Sequence, residues 1–133
     1  MNLLKKDFKI DEYGETSVQI WDLGGQESFK SLRQLYLEGA NGGLVIYDVT
    51  NRKSFDKLDE WIISFRETRG DEPLLLIGNK IDLKKKIKVS EEEGKEYAEK
   101  HDLAFLLTSA KTGKRVETAF RDLIKHILDE LNR

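Results

Sequence analysis

The 133-residue sequence contains no cysteine, one proline and one methionine. Without cysteine there is no disulfide, no thiolate metal site, no cysteine nucleophile and no attachment point for a prenyl or palmitoyl group. Met1-Asn2 also lacks the glycine that myristoylation requires, so no direct lipid anchor is expected. Long hydrophobic runs are missing as well. The longest is about half a dozen residues around Leu44 to Tyr47, against the roughly 20 that span a bilayer. With no signal-peptide core at the N-terminus, a soluble cytoplasmic protein is expected. Nor does charge of one sign prevail: 23 basic and 25 acidic side chains give a net charge of -2, which steers the chain to neither nucleic acid nor an anionic membrane.

What is present suffices for a single domain over 1–133, since a chain of this length buries roughly two thirds of its extended surface without a covalent or metal staple. Phe8 and Ile10 alternate with charges, residues 12–15 read as a turn, and Val18, Ile20 and Asp22 follow with period two, which predicts a hairpin over the first 22 residues. Gly24 and Gly25 break the strand, and a polar helix is expected from Phe29 to Leu37. Gly42 to Tyr47 is an unalternated apolar run ending in Asp48, the pattern of a strand buried on both faces.

Strands and helices then alternate. Ser54 is expected to cap a helix carrying Phe55, Leu58, Trp61, Ile62 and Phe65, and Pro73 precedes a strand from Leu74 to Gly78. Ser90 and Glu93 form a capping box for a helix to about Lys100, ahead of a strand from Ala104 to Thr108. The last helix carries Val116, Phe120, Leu123, Ile124, Ile127, Leu128 and Leu131 at spacings of three and four. The expected class is α/β, a mixed sheet with crossover helices. Trp61, Tyr97 and Phe120 read as packing residues, and Lys84-Lys85-Lys86-Ile87-Lys88 as a solvated loop balanced by Glu91 to Glu93. His101 and His126 have no neighbouring pattern of metal ligands.

In open α/β sheets, ligands bind beyond the carboxyl ends of the strands. Three polar motifs fall there: Asp22-Leu23-Gly24-Gly25-Gln26, Asn79-Lys80-Ile81-Asp82 and Ser109-Ala110-Lys111. A carboxylate at Asp82 can accept two parallel hydrogen bonds from the ring N–H and exocyclic amine of guanine, whereas adenine presents an acceptor there and leaves the charge unpaired. Asn79 can hold the loop and the base edge, and the stem of Lys80 can lie over the purine. Ala110 can give a backbone N–H to guanine O6, with Lys111 over the other face. In the first motif, Asp22 offers a carboxylate to the water shell of Mg²⁺, Gly25 an N–H to a terminal phosphate, and Gln26 an amide that can orient an attacking water. Thr112-Gly113-Lys114 looks like part of a phosphate loop, but no glycine stands five positions before Gly113.

Trp21-Asp22-Leu23-Gly24-Gly25-Gln26-Glu27, Tyr47-Asp48-Val49-Thr50 with Ser54-Phe55, Asn79-Lys80-Ile81-Asp82 and Ser109-Ala110-Lys111 together resemble a Ras-superfamily small GTPase, over nearly the whole chain. Tyr-Asp-Val-Thr followed by Ser-Phe is similar to the Ras and Rab branches, and the Gly-Gly pair after Asp22 to the Arf branch. The resemblance implies a P-loop NTPase-like fold, GTP/GDP and Mg²⁺ as ligands, and protein effectors and regulators that dock on the switch-two region. The phosphate loop G-x-x-x-x-G-K-[ST] of that family occurs nowhere in the sequence, and no threonine precedes Thr16 to serve as the Mg²⁺-binding residue of switch one. The sequence thus starts near the family's second strand, and the first strand, phosphate loop and first helix are not among its residues.

The family's strand order, 2-3-1-4-5-6, puts that first strand at the centre of the sheet. Its neighbours, here near Thr16–Asp22 and Leu44–Tyr47, are expected to pair with each other, pair with another chain, or leave the domain only partly folded. A site of base contacts alone would bind at about micromolar to millimolar, roughly 4–8 kcal/mol. Two functions follow. One is a GTP-binding, GTP-hydrolysing switch in its full-length form, with these residues reading the base. The other is a truncated pseudo-GTPase that serves as a protein-interaction module without nucleotide cycling.

Overall fold

The computed structural model describes residues 2–22, 37–109 and 116–133, with the backbone alone at Asn2, Leu3, Trp21, Asp22 and Val116. The predicted hairpin forms from β1 (Asn2–Ile10) and β2 (Gly14–Asp22), antiparallel with Phe8 opposite Thr16 and Leu4 opposite Ile20. Period-two patterning sorts its faces. Phe8, Ile10, Val18 and Ile20 share one face, while Asp7 and Ser17 meet on the other through a 2.7 Å hydrogen bond. The turn closes through Tyr13 N–H to the Ile10 carbonyl, with Glu12 and Gly14 both at positive φ.

A second sheet is wholly parallel. It comprises β3 (Gly43–Asp48), β4 (Leu74–Asn79) and β5 (Ala104–Leu107) in the order β3-β4-β5. Between β3 and β4 run a short helix α1 (Arg52–Asp56) and α2 (Leu58–Arg69). A 3-10 turn (Lys84–Lys86) and α3 (Glu91–Lys100) join β4 to β5, and α4 (Val116–Leu131) follows β5. Alternate residues of β4 face opposite layers. Leu74 and Leu76 enter the core with Tyr47, Leu58, Ile62 and Phe65; Leu75 and Ile77 pack with Ala119 and Leu123 of α4. With helices on both faces, β4 reads as a continuous apolar run, as parallel strands do. Each fully buried large side chain here contributes about 1.5–3 kcal/mol.

Local signals explain where the helices start and stop. Ser90 accepts from Glu93 N–H while the Glu93 carboxylate accepts from Ser90 N–H, the expected capping box. Glycine is needed at Gly94, where a Cβ would lie 2.5 Å from both the Phe105 ring and the Tyr47 hydroxyl; α3 can approach the sheet only because that atom is missing.

Three expectations need correction. The cap of the helix after β3 is Asn51, whose side chain accepts from Lys53 and Ser54 N–H, not Ser54. Ser54 instead turns its hydroxyl back to the Asp48 backbone, accepting from its N–H at 2.9 Å. The strand expected to be buried on both faces, β3, is only half-buried, with Ile46 56% exposed, because among the described residues it pairs on one side alone; the strand buried on both faces is β4. Glu91 and Glu93 do not balance the lysine run: Glu91 lies 4.0 Å from Lys95 and Glu93 2.5 Å from Arg52. The helix predicted from Phe29 lies outside the described residues except for its end at Leu37.

The two sheets do not pair with each other. What joins them is α4, which presents Ala119 and Leu123 to the parallel sheet and Phe120, Ile124 and Leu128 to the hairpin. Phe8 stacks on Phe120 with centroids 5.9 Å apart, Tyr13 donates to Asp129 at 2.7 Å, and Arg121 donates to the Lys9 carbonyl. Beside the outer edge of β3, an apolar cleft opens between Leu44, Ile46, Ile77, Ala119 and Phe120.

Candidate functional site

The carboxyl ends of the three parallel strands lie side by side, Asp48 registering with Asn79 and Gly78 with Leu107. Backbone bonds lash the segments beyond them together: Val49 N–H to the Asn79 carbonyl (3.0 Å), Thr108 N–H to Gly78 (2.8 Å) and Ile81 N–H to Thr108 (3.4 Å). Lys80 takes a left-handed conformation, φ 72°, which turns the chain sharply at the end of β4. A non-glycine residue there is uncommon and requires support from its surroundings.

That support is visible on both sides of β4. Toward β5, the Thr108 hydroxyl donates to Asn79 Oδ1 at 3.0 Å and the Ser109 hydroxyl donates to Asp82 Oδ1 at 2.7 Å. Thr108 and Ser109 are 3% and 1% exposed, so both hydroxyls are fixed by packing as well as by their bonds. Toward β3, Lys80 Nζ lies 2.8 Å from Asp48 Oδ2. Asp48 Oδ1 accepts in turn from the Thr50 N–H (2.8 Å) and the Thr50 hydroxyl (2.6 Å). Burial alone would raise the Asp48 carboxyl, but the bonds from Lys80 and Thr50 outweigh it and hold the group below the ordinary aspartate range.

The structure therefore brings Asn79, Lys80, Asp82 and Ser109 together at one end of the parallel sheet. Asp82 is half-buried and its anchor is a hydroxyl rather than a cation, so its negative charge is not neutralised by that contact. A carboxylate held in this way can accept from a paired N–H and N–H₂ edge, which is the chemistry that guanine offers and adenine does not. Gly25, Gln26, Ala110 and Lys111 lie outside the described residues, as does Thr112-Gly113-Lys114. Asp22 ends β2, and its side chain is likewise not described. Among the described residues, no group of three or more His, Asp or Glu side chains is placed to hold a metal. His101 instead stacks on Tyr97, centroids 4.3 Å apart, and lies 3.8 Å from Asp59, to which the Tyr97 hydroxyl donates.

Sequence reasoning gave no role to Thr108 or to Asp48. Both sit at the carboxyl ends of parallel strands, the position that had directed attention to Asn79, but nothing in their immediate sequence says which neighbour each will bond.

No described helix is long and apolar enough to cross a membrane. A profile of the Ras family matches residues 1–129. The Ras-related protein Rab-11B of Dictyostelium discoideum is 43% identical over 123 residues, a stretch covering 92% of this chain and 56% of that protein. The chain thus spans little more than half the length of this relative. With the parallel α/β architecture and its strand-end motifs, these similarities place the chain in the Ras family, as a Rab-like member of the small-GTPase superfamily.

Proposed function

We propose that this chain is the guanine-reading part of a small-GTPase switch that binds GTP and GDP and hydrolyses the one to the other. Asn79, Lys80, Asp82 and Ser109, joined by Ala110 and Lys111, would hold the base. Gln26 would position the attacking water, Gly25 would donate to the terminal phosphate, and Asp22 would serve Mg²⁺ through its water shell. The observation that carries the reading is the pair of buried hydroxyls, Thr108 on Asn79 and Ser109 on Asp82, which fix an acceptor-rich edge at the strand ends before any ligand arrives. Preorganised groups of this kind raise affinity by lowering the ordering cost of binding. Effectors and regulators would engage the switch-two region after β2, in the cytoplasm.

The test is calorimetric titration of the 133-residue chain with GDP and GTP in Mg²⁺, against ATP and against Asp82→Ala. Guanine-selective binding that the substitution abolishes is the expected result. A folded chain that shows no preference between GDP and ATP would overturn the reading. A second function, a protein-interaction module without nucleotide cycling, is favoured by the outer edge of β3, where Ile46 stands 56% exposed beside the cleft to α4.

A further inference from the structure

The two residues flanking Ile81 are tied in opposite directions. Asp82 is held toward β5 by Ser109, and Lys80 is held toward β3 by Asp48. The methylene stem of Lys80 is consequently drawn toward β3 at the end of β4, while the Asp82 carboxylate is held toward β5. A lysine that is half-exposed, with a side-chain accessibility of 52%, would otherwise sample many rotamers, and a flexible stem makes a poor surface for a flat ring. Asp48 is suited to stop that motion. Its carboxylate is 22% exposed, and the Thr50 N–H and hydroxyl orient it at 2.8 and 2.6 Å. The Asp48 backbone is bound in turn to the Ser54 hydroxyl, so the anchor is fixed to α1 as well as to β3.

We propose that Asp48 is a positioning residue for the base site: it fixes the Lys80 ammonium so that the lysine stem forms one ready-made wall against which a purine ring packs. The inference rests on the reading of Asn79 and Asp82 as guanine-binding residues and deepens it. Asp48 itself touches no part of the nucleotide. Since it acts on the face of the ring rather than on its edge or on the phosphates, its removal weakens GDP, GTP and guanosine by the same factor and leaves recognition of the base edge to Asp82.

The experiment compares wild type, Asp48→Asn, Lys80→Met and the double variant by titration with GDP, GTP, guanosine and ATP, with a thermal melt on each. Asparagine keeps the acceptor for Thr50 and removes the charge that holds Lys80; methionine keeps an apolar stem and removes the ammonium. Asp48→Asn should weaken all three guanine ligands about two- to fivefold, in the range expected for loss of a partly exposed ion pair. In the Lys80→Met background the same substitution should have no further effect, an outcome that a merely structural role for Asp48 would not give. Should Asp48→Asn lower the melting temperature enough to unfold the chain, Thr50→Val, which loosens the carboxylate but keeps its charge, should weaken binding about twofold and likewise lose its effect in Lys80→Met. Guanine-selective wild type with unchanged binding in Asp48→Asn would overturn the positioning role alone, as would a loss that persists in the Lys80→Met background. Wild type without guanine selectivity would overturn the base-site reading and this inference with it.

Discussion

Replacing Asp82 by asparagine tests the chemistry of the proposed base site with the smallest change of shape. In the structure Asp82 Oδ1 takes the Ser109 hydroxyl at 2.7 Å, and the carbonyl oxygen of asparagine can keep that bond, so the loop retains its brace. What changes is the other half of the group: an acceptor becomes an N–H₂ donor and the charge disappears. Guanine would then set its exocyclic amine against another amine. Loss of one charge-assisted hydrogen bond costs about 1.5–3 kcal/mol, and the donors left facing one another add about 1 kcal/mol. The sum is about 3 kcal/mol, or roughly two orders of magnitude in Kd. Xanthine carries a carbonyl where guanine carries the amine, so it pairs with the new donor and gains what guanine loses. Calorimetry with GDP, xanthosine diphosphate and ATP on Asp82→Asn should show the GDP signal vanish and a xanthosine diphosphate signal appear. A folded variant that binds GDP as well as wild type would refute any role for Asp82 in reading the base. Loss of GDP binding with no gain of the xanthine nucleotide would keep a role for the Asp82 charge but refute the pairing of its second oxygen with the exocyclic amine.

Other consequences are as direct. Phe8→Ala removes the ring that stacks on Phe120 and should cost about 3–5 kcal/mol of hairpin docking; amide exchange should rise across residues 2–22 and stay slow in β4, whereas a uniform loss of protection would contradict the two-sheet arrangement. The Tyr47 hydroxyl is buried with no hydrogen-bond partner among the described residues, so Tyr47→Phe should be neutral or stabilising by about 1 kcal/mol in urea unfolding. Burial also pushes the Tyr47 phenol up to about 12 from its ordinary 10.0. The native state therefore keeps a proton that the unfolded chain releases: stability is unaffected below about pH 10 and falls between about 10 and 12. Tyr47→Phe should shrink that alkaline loss, and an unchanged alkaline slope would rule the phenol out as its source.

Much of this architecture could be read from local pattern. Alternation gave the hairpin, the Ser90–Glu93 spacing gave the start of α3, and spacings of three and four gave α4, because each depends on neighbours within a turn or a strand. The burial of β3 could not be read in that way. Its apolar run matches that of β4, and only the pairing on its far side decides whether Ile46 is covered. The cap expected at Ser54 falls instead to Asn51, because the Ser54 hydroxyl reaches back six residues to Asp48. At the candidate site, Asn79, Lys80 and Asp82 stood out through their order at a strand end. Their supports did not, since Thr108 reaches Asn79 and Lys80 reaches Asp48 across the sheet, and those meetings depend on strand register.

The helix that joins the two sheets also sets an order of events in synthesis. Tyr13 and its partner Asp129 stand 116 positions apart, so the hairpin is made long before the surface that receives it. At typical elongation rates that interval is on the order of ten seconds. A lone two-stranded hairpin is at best marginally stable in water. During that wait the face bearing Phe8, Ile10, Val18 and Ile20 lacks the α4 residues Phe120, Ile124 and Leu128 that cover it in the fold, which makes it a surface a chaperone would recognise.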